Sequence, residues 1–140
     1  MAKKNTADLV SNEHLWKTRD VSSFLNEEYR DYSLYCAMER CTPSLIDGFK
    51  ITQRKILHSA FKGACKSGNL VKLLNLTGDT FNKTYYAHGD MSLNGNIIGL
   101  GQHFHDNLNR LHINGQSGSL RDPNAVSAPR YLYVKLNTYA

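Results

Sequence analysis

Four helical stretches, a tight Asp-Gly turn between the first two, and a glycine-, asparagine- and serine-rich segment closing on a short alternating strand predict a mainly α domain with a small β wing. That order is the outline of a winged helix-turn-helix, preceded here by an N-terminal arm. The expected boundaries are residues 1–24 for the arm and 25–140 for the winged domain.

Met1 to Asp20 is polar and uneven, with Trp16 as its one aromatic residue, and reads as an arm or short helix that docks elsewhere. Val21 to Phe24 forms an entry turn. From Asn26 the period becomes helical, with Tyr29, Tyr32, Cys36 and Arg40 on one stripe, expected as core. Glu27 and Glu28 in the first turn and Arg40 in the last suit the helix dipole. Pro43 ends this helix, and Asp47-Gly48 marks a turn. Thr52 is the expected N-cap of a second helix, with Ile56, Leu57, Ala60 and Phe61 inward and Gln53, Arg54, Lys55 and His58 outward. Lys62 to Asn69 is a basic loop of small residues. A third helix runs from about Leu70 to Leu76 or on to Phe81, burying Leu70, Leu73, Leu74 and Thr77. Asp90 or Ser92 caps a fourth, with Leu93, Ile97, Ile98, Gly101 and Phe104 inward. Gly95, Gly99 and Gly101 in one helix each cost up to about 1 kcal/mol against alanine, so something large is expected against it, a backbone or nucleic acid. Asn107 to Asn124 reads as the wing, returning into a strand over Ala128–Leu136. In that strand Tyr131, Tyr133 and Lys135 share one face and Leu132, Val134 and Leu136 the other; its edge is expected to be open to another chain.

A chain of 140 residues with 41% hydrophobic and 21% charged residues has the composition of one globular domain. No apolar run spans a bilayer, and the first residues carry no apolar signal region, which argues against a membrane or secretory role. Cys36, Cys41 and Cys65 are an odd number without CxxC spacing, as expected of reduced, mostly buried thiols in a cytoplasmic protein. The net charge of +5 suits a polyanionic partner.

The candidate phosphate contacts are Arg40, Lys50, Arg54, Lys55 and Lys62 around the first turn and second helix. His88-Gly89-Asp90 places an imidazole at a helix N-terminus, where free N–H groups favour anions. His103, His105 and His112 lack a carboxylate or cysteine companion at ligand spacing, so a metal site is not expected there. Arg130 beside Tyr131 can hold a phosphate near a hydroxyl. A tyrosine nucleophile needs help from a base, a cation or a metal, and the attacked phosphodiester needs cations on its non-bridging oxygens. No DxD-type acidic cluster is present, so a divalent ion would come from another domain or subunit.

Arg40-Cys41-Thr42-Pro43-Ser44-Leu45-Ile46-Asp47-Gly48-Phe49-Lys50-Ile51-Thr52-Gln53-Arg54-Lys55-Ile56-Leu57 resembles the R-A-x-P-x-x-x-D-G-(L/F)-K-P-x-Q-R-K-(I/V)-L signature of type IIA DNA topoisomerases. Tyr86 to Asp90 looks like their H-G-(D/E) turn, Asn114 to Ser119 their glycine loop, and Ala128-Pro129-Arg130-Tyr131 their A-x-R-Y motif. The motifs keep the family order from Tyr29 to Leu136, and the ending looks most like the eukaryotic enzymes and the medium subunit of large tailed bacteriophages.

The resemblance implies a catabolite-activator-like winged domain whose third and fourth helices form the helix-turn-helix. It implies that Tyr131 cleaves DNA through a 5′-phosphotyrosyl link, with Arg130 beside it. Arg40, Arg54, Lys55 and His88 would steady the phosphate together with Arg130. Magnesium would sit in a Toprim domain outside this chain, and ATP in a partner subunit. Implied partners are double-stranded DNA, a second copy within a larger complex, a dimer-gate subunit or segment, and a Toprim/ATPase subunit. The implied setting is the cytoplasm of a bacterial or phage-infected cell, with a nucleus also allowed. Ile51 stands where the family has proline, Tyr86 where bacterial members have a first histidine, and Ser117 where the loop has an aromatic. Met91 and Gly95 align with the drug-contacting serine and acid of bacterial enzymes, which implies a weak quinolone response. Tower and coiled-coil segments of the family lie outside these residues, as in a fragment, a stand-alone domain or a split subunit. The competing readings are a non-catalytic winged-helix DNA-binding protein and an interaction module without nucleic acid.

Overall fold

The computed structural model describes residues 18–138 and 140, and the expected arm therefore lies outside the described residues over 1–17, Trp16 included. The described residues fall into two compact units, one ending at Met38 and one running Glu39–Ala140.

In the first unit, α1 (Val21–Phe24) opens on Asp20, whose carboxylate accepts from the Ser22 and Ser23 N–H groups at 3.1 and 3.4 Å. The Ser22 hydroxyl and these amides hold the Asp20 carboxyl below its usual range. A wide π-type segment, Leu25–Tyr29, separates α1 from α2 (Arg30–Cys36). Arg19 pairs with Glu27 and Glu28. The stripe expected as core is instead exposed at Tyr29 and Tyr32 and half-buried at Cys36. No residue of these helices is buried on any face, so among the described residues of this unit there is no core for the stripe to join.

In the second unit, Ser44 and Gly48 close the predicted turn: the Gly48 N–H donates to the Ser44 carbonyl at 2.8 Å, and the Phe49 N–H to Asp47 Oδ1 at 3.1 Å. Helix α3 (Ile51–Lys62) begins one residue before the expected cap, Thr52. Lys50 is the N-cap, and the Gln53 side chain reaches back to accept its N–H at 2.9 Å. Ile56, Leu57 and Ala60 are buried as expected, whereas Phe61 is exposed.

The expected start of the third helix is a strand. Val71–Lys72 (β1) pairs with the last strand, and α4 begins at Leu73 and runs to Thr84. The late start rotates the buried face to Leu73, Leu76, Thr77 and Thr80, leaving Leu70 and Leu74 each 44% exposed. Helix α5 (Asp90–Gly101) is capped by Gly89 and by neither Asp90 nor Ser92. It buries Leu93, Ile97 and Leu100, while Ile98 and Phe104 are half-buried. Inside the α4–α5 pair, Thr77 Oγ1 and the Asn94 side chain meet at 2.6 Å, a buried polar link that fixes one helix against the other.

The wing strands are β2 (Leu111–Asn114) and β3 (Tyr133–Leu136). The sheet is antiparallel in the order β1-β3-β2, with Val134 between Val71 and Ile113. Since β3 is central, both of its edges are used, and the expectation of an open edge on the last strand is not met. The strand is also shorter than Ala128–Leu136, because Pro129–Tyr131 forms a 3₁₀ turn. Gly101 answers the expectation of a large neighbour: a Cβ there would lie 2.4 Å from Ile113 Cγ1. Gly95 and Gly99 face open space. Of the three thiols, only Cys65 is buried, and burial pushes its pKa up; Cys36 is half-buried and Cys41 exposed.

Candidate functional site

Tyr131 ends the 3₁₀ turn that joins the wing to β3. Pro129 opens the turn, the Tyr131 N–H donates to the Ala128 carbonyl at 2.9 Å, and Leu132 is fully buried. The Leu132 carbonyl accepts from the Leu73 N–H at 2.9 Å, pinning the turn to the start of α4. With its neighbour anchored, the phenol stands 63% exposed. The Arg130 guanidinium lies over its ring, 4.9 Å from the centroid, so a cation sits beside the hydroxyl-bearing side chain.

The wing that leads into this turn is held from below. Gln102, buried at the end of α5, donates through Nε2 to the Ser117 carbonyl at 2.7 Å and the Pro123 carbonyl at 3.2 Å. Ser117 bridges Val126, and the Ser127 N–H donates to the Gln116 carbonyl at 2.9 Å. Sequence reasoning missed Gln102; the one available signal was an amide just past an apolar helix and ahead of a glycine-rich loop.

Arg54 and Lys55 come together elsewhere. Arg54 Nη2 pairs with Asp47 Oδ2 at 2.6 Å. The Asp47 carboxyl is held below its usual range, first by the Phe49 N–H and then by Arg54, so this link persists at neutral pH and weakens as the pH falls toward that lowered value. Arg54, Lys55 and His58 share a shallow cleft of about 310 Å³ with Ile51 and with Thr84 at the end of α4. Lys50 is exposed at the N-terminus of α3, and Arg40 is exposed in the segment Ala37–Cys41. Exposed His88 stacks edge-on against buried Tyr86 at 5.3 Å, and Tyr86 against Phe81 at 5.5 Å. Tyr86, in place of a histidine, thus serves as packing.

Phe81 and Thr84 lie toward one end of α4 and Leu73 at the other, and a helix of 12 residues spans about 18 Å. The fold therefore brings Arg54 and Lys55 to the end of α4 that also carries His88. It places Arg130 and Tyr131 at the opposite end. Among the described residues, no three His, Cys, Asp or Glu side chains converge as a ligand set.

A family model described as the A subunit of DNA gyrase/topoisomerase IV matches residues 40–140. The chain belongs to this family. DNA topoisomerase 2 of Candida albicans is 38% identical over 120 residues, which is 84% of this chain and 8% of that protein. Human DNA topoisomerase 2-alpha is 38% identical over 122 residues, 85% of this chain and 8% of the relative. The crystal structure of the Plasmodium falciparum topoisomerase II DNA-binding, cleavage and re-ligation domain superposes with a TM-score of 0.70 at 38% identity, covering 81% of this chain and 16% of that one. The chain thus spans about a twelfth of the full-length relatives it matches. Within the family, its mainly helical architecture with a three-stranded antiparallel sheet agrees with the expected winged helix.

Proposed function

We propose that this chain is the DNA-cleaving part of a type II DNA topoisomerase. The observation that carries this reading is Tyr131, exposed on a turn whose flanking leucine is buried, with Arg130 over its ring. In the proposed step the Tyr131 hydroxyl oxygen attacks a DNA phosphorus and the bond from phosphorus to the 3′ oxygen breaks. The phenolic proton leaves to solvent or a base, and the departing 3′ oxygen takes up a proton. The 5′ phosphate remains on the tyrosine, so attack by the 3′-hydroxyl reverses the exchange and reseals the strand.

The separation of Tyr131 from His88 along α4 supports a site completed by a second copy, in which the Arg54, Lys55 and His88 end of one chain serves the Arg130–Tyr131 end of the other. A Toprim/ATPase subunit supplies magnesium and ATP in this proposal, and a dimer-gate subunit or segment completes the assembly. The test mixes the chain with candidate Toprim/ATPase and gate subunits, magnesium, ATP and supercoiled DNA, then looks for protein attached to 5′ ends. If the complete mixture yields no attachment, the catalytic reading is lost and a non-catalytic winged-helix DNA-binding protein takes its place.

Two further outcomes follow from the DNA-facing residues. Arg54→Ala should weaken duplex binding and reduce the slope of log affinity against log salt by about 1, because one phosphate contact is lost. An unchanged slope removes Arg54 from the contacts. In the first turns of α5, Met91 is 84% exposed and Gly95 faces open space, so neither a hydroxyl nor a carboxylate stands where the bacterial drug contacts align. Quinolones should therefore leave the level of cleavage complexes unchanged in the assembled enzyme; ordinary stimulation would show that other groups hold the drug.

A further inference from the structure

We propose that Tyr85 is a DNA-contacting residue of the turn between α4 and α5, its hydroxyl donating to a backbone phosphate held by the cleft of Arg54, Lys55, His58 and Thr84. The proposal rests on the duplex-binding reading above and adds to it a residue that the family motifs do not assign.

Tyr85 has φ 50° and ψ 48°, the one non-glycine residue with positive φ among the described residues. Glycine or asparagine ordinarily closes a helix in this conformation, because a β-carbon there crowds the backbone. The fold gains little from the aromatic ring in return: Tyr85 is 90% exposed, and among the described residues no ring contact engages it. The next residue shows the contrast, since Tyr86 is buried and packs on Phe81 and His88. A strained backbone carrying an unused aromatic points to a role outside the chain.

The neighbourhood specifies the ligand. Tyr85 directly follows Thr84, which lines the cleft with Arg54, Lys55 and His58. Arg54 and His58 are one helical turn apart on α3 and so share one face, with Lys55 beside them. Asp47, paired with Arg54, is the carboxylate bordering this set. Guanidinium, ammonium, imidazole and phenol all carry donors, the groups from which a phosphodiester oxygen accepts. His58 and Tyr85 would thereby join the two cations that the sequence motif already marks.

The experiment compares the wild-type chain with Tyr85→Gly and Tyr85→Phe, measuring melting temperature and affinity for a fluorescent DNA duplex across a salt series. Tyr85→Gly should raise the melting temperature by a few degrees, because strain is relieved, and weaken duplex binding by about tenfold. Tyr85→Phe should keep the wild-type melting temperature and still lose most of that affinity, with an unchanged salt slope because no charge is removed. Wild-type affinity in either variant overturns the contact, and a lower melting temperature for Tyr85→Gly overturns the strain argument. Absence of duplex binding by the wild-type chain overturns the underlying reading as well, and so is distinguishable from a failure of Tyr85 alone.

Discussion

Tyr131→Phe should reduce covalent attachment of DNA to the assembled enzyme by at least about a thousandfold, to the limit of detection, while duplex affinity stays within about twofold. The size of the first effect comes from chemistry: in the proposed step the Tyr131 hydroxyl oxygen forms the bond to phosphorus, and the substitution deletes that atom. The small size of the second comes from the local structure. The phenol is largely exposed, so removing its hydroxyl leaves the core untouched, and stability should change by no more than about 0.5 kcal/mol. The phenylalanine ring preserves the face on which the Arg130 guanidinium lies, so the cation keeps its place. Quantifying 5′-linked protein after denaturation, alongside melting curves and binding isotherms of the same samples, separates the two effects. Attachment by the phenylalanine variant at wild-type levels would move the nucleophile to another residue.

Local rules made much of this fold legible. The Asp47-Gly48 turn, the apolar period through Ile56, Leu57 and Ala60, and the alternation of Leu132 and Val134 with Tyr131 and Tyr133 each depend on residues close in sequence. What escaped depends on distant partners. Val71 and Lys72 are a strand only because Val134 and Tyr133, some sixty residues later, pair with them. That pairing moved the start of α4 and exchanged Leu70 and Leu74 for Leu76 and Thr80 in the core. Thr52 failed as a cap because the Gln53 side chain satisfies the Lys50 N–H from inside the helix. The candidate site was legible as residues and not as geometry. Tyr131 and His88 both stood out in the sequence, but only α4 shows that its length lies between them.

Gly118→Ala should destabilise the second unit by about 2–4 kcal/mol, lowering its melting temperature by about 10 °C or more, and should impair cleavage with it. Gly118 has φ +87°, where an L side chain is strained, and its added Cβ would fall 2.5 Å from the Pro123 carbonyl oxygen and 3.1 Å from Gln102 Nε2. Neither neighbour yields easily. The Pro123 carbonyl belongs to the returning backbone of the wing and already accepts from Gln102 at 3.2 Å. Gln102 is buried, and pushing its amide off the Ser117 and Pro123 carbonyls would leave polar groups without partners, at about 1–3 kcal/mol for each group left buried. The wing then runs through Val126 and Ser127 directly into the Pro129–Tyr131 turn, so a displaced loop also moves the base from which Tyr131 projects. Gly78→Ala supplies the contrast. That glycine lies within α4 with nothing within 4 Å of an added Cβ, so alanine there should be neutral or stabilise by up to about 1 kcal/mol. Melting curves and cleavage assays on the two variants distinguish a wing that must stay tightly seated from one that tolerates slack: equal stability of the Gly118 and Gly78 variants would mean that the loop opens without consequence and that Gln102 does not hold it.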